Sequence, residues 1–145
     1  MAVYVDTGLF VALVFEDDNQ HKRAGELIDE LSRGEHGRPL FTSDLVFSET
    51  ASVIHSRIKG SNKDYRALNK VRQIKDLIQE RRLEMLYLGE TSFREGFDLY
   101  IQHQGRLDFV DSTNLVLMKS KRICKIASFD SNYDAFAGEG IERVH

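Results

Sequence analysis

Short apolar runs alternating with longer amphipathic stretches predict an α/β fold, a sandwich of helices around a mostly parallel sheet of four to five strands. Two patterns carry that expectation. The short runs are apolar throughout, as buried parallel strands are. Between them apolar residues recur every three or four positions, as in Tyr65, Leu68, Val71, Ile74 and Ile78. A third observation bounds the architecture. Proline occurs once, the ten glycines are scattered, and no linker, low-complexity tract or repeat interrupts the 145 residues. One domain over residues 1–145 is therefore expected.

The first strand is expected over residues 3–6. Residues 8–15 and 20–33 read as helices, with Asn19 placed to cap the second and Leu27, Ile28 and Leu31 forming its apolar stripe. A second strand follows at 40–42. Ser43 or Asp44 then caps a helix running to about residue 58, and Gly60-Ser61-Asn62 breaks it. The long amphipathic helix comes next, then a third strand at 83–86. Residues 91–104 form a helix with Phe93, Phe97 and Ile101 on one side, and 109–121 another. A fourth strand is read at 123–128, a short helical turn at 133–136 and a last strand at 141–144. Crossovers between parallel strands should be right-handed, and sites in such sheets form beyond the carboxyl ends of the strands.

Composition narrows the function classes. Apolar residues make up 41% and aromatics 10%, enough for a packed interior. The single cysteine, Cys124, cannot form an internal disulfide and reads as a small buried side chain, which suits a reducing cytoplasm. The longest apolar run, residues 9–15, is too short to span a bilayer and has no basic flank, so a soluble cytoplasmic protein without a membrane partner is expected. Net charge is −3, but it is segregated. Residues 1–50 hold ten acids and four bases; residues 51–82 hold nine bases and three acids. That split allows one phosphate-attracting face on an acidic molecule, or simply a solvated helix face. Phosphate-loop, dinucleotide and Cys-x-x-Cys motifs are absent, and the five histidines show no zinc spacing.

Four acids are the candidates for chemistry. Asp6 ends the first apolar run, and Asp130 follows the fourth; each falls at the carboxyl end of a strand, and each also reads as an ordinary turn or cap residue. Glu49 has Val46 three residues before it and Val53 four after, which sets its carboxylate on an apolar stripe. An unpaired carboxylate there would be costly, so it needs a cation, an arginine or a metal ion. Asp111 opens an apolar helix, with Leu115 and Met118 on its side. Asp108 and Asn114 are spaced to share its face, although Asp108 is also the natural N-cap of that helix. Carboxylates gathered by one fold need protons or metal ions, and an all-oxygen ligand set suits Mg²⁺ or Mn²⁺. Metal-dependent phosphodiester chemistry follows from that set.

The order of these segments resembles the PIN domain, a family of small metal-dependent nucleases that includes the VapC-type toxins. Residues 3–13 look like its first strand and helix, and 17–24 like its acidic loop and His-x-x-Ala helix start. Residues 43–49 resemble its glutamate-bearing helix. Residues 108–112 and 126–136 resemble its carboxy-terminal signature. Between residues 56 and 105 only helical character matches. The resemblance implies a three-layer α/β/α sandwich. It implies catalytic and metal-binding roles for Asp6, Glu49, Asp111 and Asp130 in hydrolysis of RNA, with Asp108, Thr7, Ser128 and Asn114 accessory. It further implies a homodimer and a small antitoxin partner. Gly8 stands where a serine is often found, and Ser128 where threonine is usual.

A rival reading keeps the fold and drops the chemistry: a non-catalytic RNA- or protein-binding module in which the acids are structural. A receiver-like or phosphatase domain is disfavoured, because Asp6-Thr7-Gly8 lacks the paired acids such sites need.

Overall fold

The computed structural model describes residues 1–145. The elements are β1 Val3–Val5, α1 Thr7–Val14, α2 His21–Arg33, β2 Leu40–Ser43, α3 Asp44–Arg57, α4 Lys63–Glu80, β3 Leu83–Leu86, α5 Glu90–Gln102, α6 Phe109–Ser120, β4 Lys125–Ala127, a 3₁₀ segment Ser131–Glu139, and β5 Glu142–Val144. Five strands form one sheet in the order β3-β2-β1-β4-β5, and every pairing is parallel. Central strand β1 is buried along its length, which is why Val3-Tyr4-Val5 is apolar without alternation.

Strand order dictates where the helices go. The chain lays β2 and β3 on one side of β1, then returns to lay β4 and β5 on the other. Right-handed crossovers place the helices of the outbound half on one face and those of the return on the opposite face. The packing agrees: α1 packs against α2, α3 and α4, whereas α5 packs on α6. The order reverses beside β1, so a crevice opens beyond the carboxyl ends of β1 and β4. A single cluster joins the core, with Tyr4, Phe10, Leu27, Leu31, Ile74, Met118 and Ile126 among its fully buried side chains.

Several expectations need correcting. Asn19 does not cap α2. The turn before it is closed by Asp18, whose Oδ1 accepts from the Gln20 amide at 2.9 Å and whose carbonyl accepts from the His21 amide at 2.9 Å. On α4 the buried course is Ala67, Ile74 and Ile78, with Val71 partly buried, while Tyr65 is 66% exposed. Tyr65 lies nine residues before Ile74, half a turn around the helix. Phe93, Phe97 and Ile101 do share one side of α5, but that side is exposed. Gly96 is the buried residue of α5; a Cβ there would meet Thr113 Cγ2 at 2.8 Å, so its absence sets how closely α5 lies on α6. Cys124 is exposed, not buried. Strand β4 starts only at Lys125, and Ile123 takes the inward position before it. No helix is long and apolar enough to cross a membrane.

Candidate metal centre

The crevice at the strand reversal is a cavity of about 340 Å³, and Asp6, Glu49, Asp108, Asp111 and Asp130 all line it, together with Thr7. Local structure explains each position. Asp6 leaves β1 at the N-cap position of α1 with extended backbone, and its amide donates to the Ala127 carbonyl of β4 at 3.1 Å. Since Val5 pairs with Ala127, Asp6 and Ser128 emerge side by side. Asp130 sits two residues on, at the cap of the 3₁₀ segment, where Oδ1 accepts from the Asn132 amide at 2.9 Å. Ser43 caps α3 through Oγ, accepting from the Val46 amide at 3.1 Å, and this sets the phase that aims Glu49. Asp108 Oδ1 does the same for α6, accepting from the Asp111 amide at 2.8 Å. Asp108 is thus both the helix cap and part of the cavity wall.

Beneath the cavity lies a buried network of neutral donors. Ser128 Oγ donates to Asp6 Oδ2 at 2.7 Å, and Asn114 Nδ2 donates to Asp6 Oδ1 at 3.1 Å. The same amide donates to the Tyr133 hydroxyl at 3.0 Å, which in turn donates to Asp111 Oδ1 at 2.8 Å. Tyr4 closes the chain by donating to Asn114 Oδ1 at 2.8 Å. Thr7 Oγ1 donates to Glu49 Oε2. Each carboxylate so held keeps further lone pairs free. Asn114 and Ser128 therefore belong to the layer below the acids rather than to the cavity wall. Tyr4 and Tyr133 complete that layer, and the sequence reading did not single them out. Their signal was available in principle, because a buried tyrosine hydroxyl almost always has a partner. No arginine pairs with Glu49; its partner is the Thr7 hydroxyl. Asp134 lies outside the group, paired with Arg143 at 2.6 Å.

The electrostatics set these acids apart from ordinary surface carboxylates. Burial pushes Asp111 up to about 7, further raised by Asp108, Asp6 and Asp130, while the Tyr133 hydrogen bond opposes the rise. Burial also raises Asp6 to about 6, against the lowering pull of Ser128 and the Thr7 amide, with Glu49 and Asp130 adding to the rise. Glu49 is raised as well, through burial first, with the Thr7 hydroxyl opposing and Asp108 adding to it. Negative charge gathered in one place, where the one cation on the wall, Arg57, is already paired with Asp18, is the electrostatic setting that a hard divalent cation relieves. The donor chemistry fits Mg²⁺ or Mn²⁺. As arranged here, however, no three His, Cys, Asp or Glu side chains are close enough together to grip one ion between them. A larger hollow of about 510 Å³ lies between α5, α6 and the segment leading to β5, and none of these acids lines it.

The PIN domain family model matches residues 3–139. Among solved structures, VapC20 of Mycobacterium tuberculosis, a sarcin-ricin loop cleaving toxin, superposes with a TM-score of 0.73 at 21% identity, covering 98% of each chain. FitAcB from Neisseria gonorrhoeae gives 0.67 at 14% identity, covering 99% of this chain and 96% of that one. VapBC2 from Rickettsia felis, bound to a DNA fragment from its promoter, gives 0.66 at 12% identity, covering 99% and 98%. At these identities the structures establish a shared fold. No curated protein matches the sequence.

Proposed function

The chain belongs to the PIN domain family, and from that premise we propose that it is a Mg²⁺- or Mn²⁺-dependent endoribonuclease, the toxin of a toxin–antitoxin pair. One observation supports the reading above the rest: Asp6, Glu49, Asp111 and Asp130, scattered along the sequence, line one cavity, and Asp6 and Asp111 are raised to about 6 and 7 there. Asp6, Glu49 and Asp111 hold the ion in this reading, with Asp130 at the rim. What such an ion supplies is a nucleophile from bound water near neutral pH and neutralisation of phosphate charge.

The protein's own contribution is orientation. Ser128 and Asn114 fix both oxygens of Asp6 from below, and Tyr133 fixes one oxygen of Asp111. Free lone pairs then face the cavity. Bringing the set onto one ion calls for side-chain movement, and Glu49, half-buried and with the longest chain of the four, has the most freedom to make it. VapBC2 and FitAcB support a small antitoxin as the partner of this chain. A cytoplasmic homodimer acting as a single-domain nuclease completes the proposal.

The test is cleavage of total RNA by the purified chain with Mn²⁺, beside Asp6→Asn. Wild-type cleavage that is lost in the variant and in EDTA is expected; equal cutting by Asp6→Asn sinks the assignment. A second reading, a non-catalytic RNA- or protein-binding module, draws on the absence of three acids at chelating distance. It predicts that neither Mg²⁺ nor Mn²⁺ shifts the melting temperature, whereas an ion site gains stability by mass action.

A further inference from the structure

Arg57 is the one cation among the residues lining the acidic cavity. It ends α3, the helix that carries Glu49, and Val53 between them also lines the cavity. The four-residue spacing of Glu49, Val53 and Arg57 keeps all three on one stripe, and Arg57 stands about 12 Å along the axis from Glu49. A basic residue in the last turn suits the helix dipole, but the dipole does not require the guanidinium to face the cavity.

How that guanidinium is held points to a second role. Its Cζ lies 5.3 Å from the centroid of the Phe15 ring. Nη1 donates to Asp18 Oδ2 at 2.8 Å. That is its one hydrogen bond, so most of its five N–H donors are free, and its side chain is 46% exposed. Lys70 Nζ lies 5.1 Å from the same ring centroid and donates to the Val14 carbonyl at 2.6 Å. Two cations therefore flank one aromatic ring, and one of them, Arg57, pairs with Asp18 at the mouth of a cavity whose other charged residues are all acids. Ring and carboxylate pre-set the planar fork, which lowers the entropy lost when it takes a bidentate oxyanion.

We propose that Arg57, presented on Phe15 and steadied by Asp18, binds a backbone phosphate of the RNA a few nucleotides from the bond that is cut, with Lys70 adding positive potential beside it. The inference rests on the proposed ribonuclease reading. At the 3.4 Å rise of a stacked strand, 12 Å corresponds to roughly three nucleotides. Arg57 thus makes binding tighten once the strand is long enough to reach it, and draws the strand toward a pocket that otherwise repels it. It takes no part in the chemical step.

The test uses the full chain with Mn²⁺ and two oligoribonucleotides sharing one cleaved step, of about four and about twelve nucleotides. On the longer one, Arg57→Gln should raise KM about tenfold with kcat within about twofold, because a contact made equally in ground and transition states changes binding alone. The slope of log KM against log salt should fall by about 0.7, one phosphate contact on a single strand. On the shorter one, wild type and variant should cut alike. Arg57→Lys should restore the salt slope and only part of the affinity. Unchanged KM and slope for Arg57→Gln on the longer strand, or equal losses on both lengths, overturns the inference while ribonuclease activity stands. A wild-type chain that cuts neither strand overturns the ribonuclease reading and the inference with it.

Discussion

Asp6→Asn should make the metal-free protein more stable at neutral and alkaline pH while removing its response to divalent ions. The Asp6 carboxyl is raised from 3.8 to about 6, by burial first and then by Glu49 and Asp130 against the lowering hydrogen bonds. A carboxyl raised in the fold makes the folded state hold a proton that the unfolded chain releases. Stability is therefore lost as pH climbs from about 4 through 6 and levels off above 7. At about 1.36 kcal/mol per tenfold change in proton affinity, the ionised residue costs roughly 0.5 kcal/mol at pH 4 and about 3 kcal/mol at pH 8. Asparagine is the same shape and carries no charge. Its oxygen can accept from Asn114 Nδ2, and its amide can donate to Ser128 Oγ, whose hydroxyl turns to accept. The variant should gain roughly 5–10 °C in Tm at pH 8 in EDTA, and little at pH 4. Thermal unfolding at both pH values, in EDTA and then in Mn²⁺, measures all four quantities. If Asp6→Asn is the less stable protein at pH 8 in EDTA, the carboxylate is stabilised where it sits and the reasoning fails.

Tyr133→Phe deletes a hydroxyl that both holds Asp111 and accepts from Asn114, leaving polar atoms unpaired in the interior. A loss of about 1–3 kcal/mol in urea unfolding is expected, together with weaker Mn²⁺ binding at pH 7 than at pH 8.5, since Asp111 loses the bond that opposes its raised proton affinity. An unshifted urea midpoint would contradict the network. Gly96→Ala places a methyl 2.8 Å from Thr113 Cγ2 and 3.4 Å from its Cα. Thr113 is fully buried and tied by its hydroxyl to the Val110 carbonyl, so overpacking of about 1–3 kcal/mol should outweigh the helix preference of alanine, about 1 kcal/mol. Equal or higher stability would show that α5 can yield. Cys124 is exposed and should take up a thiol reagent in native buffer. Labelling only after denaturation would place it inside.

The acids were legible because position betrays them. Asp6 and Asp130 follow short runs read as strands, at whose carboxyl ends sites form in parallel sheets, and Glu49 falls on the apolar phase of its helix. Asp108 was legible as a cap because the cap interaction is local, three residues long. What stayed hidden depends on distant partners. Tyr4 and Asn114 are 110 positions apart, and no spacing rule joins them. Apolar runs also do not say which way they face. Cys124 and the Phe93–Phe97–Ile101 stripe read as interior, or as one side of a helix, until β4 begins late and α5 packs through Gly96. The reach of Arg57 into the cavity depends on Phe15 and Asp18, from a loop across the chain.

Calorimetric titration of Mn²⁺ into the metal-free protein asks whether these carboxylates form a hard-cation site. Ligand oxygens must shed their protons to bind an ion. With Asp6 raised to about 6 and Asp111 to about 7, the wild type should bind Mn²⁺ and release about one proton per ion at pH 6.5 and almost none at pH 8.5. Asp6→Asn and Asp111→Asn should each lose most of the heat. Absence of binding, binding that survives in both variants, or a proton count that does not change with pH would contradict the account.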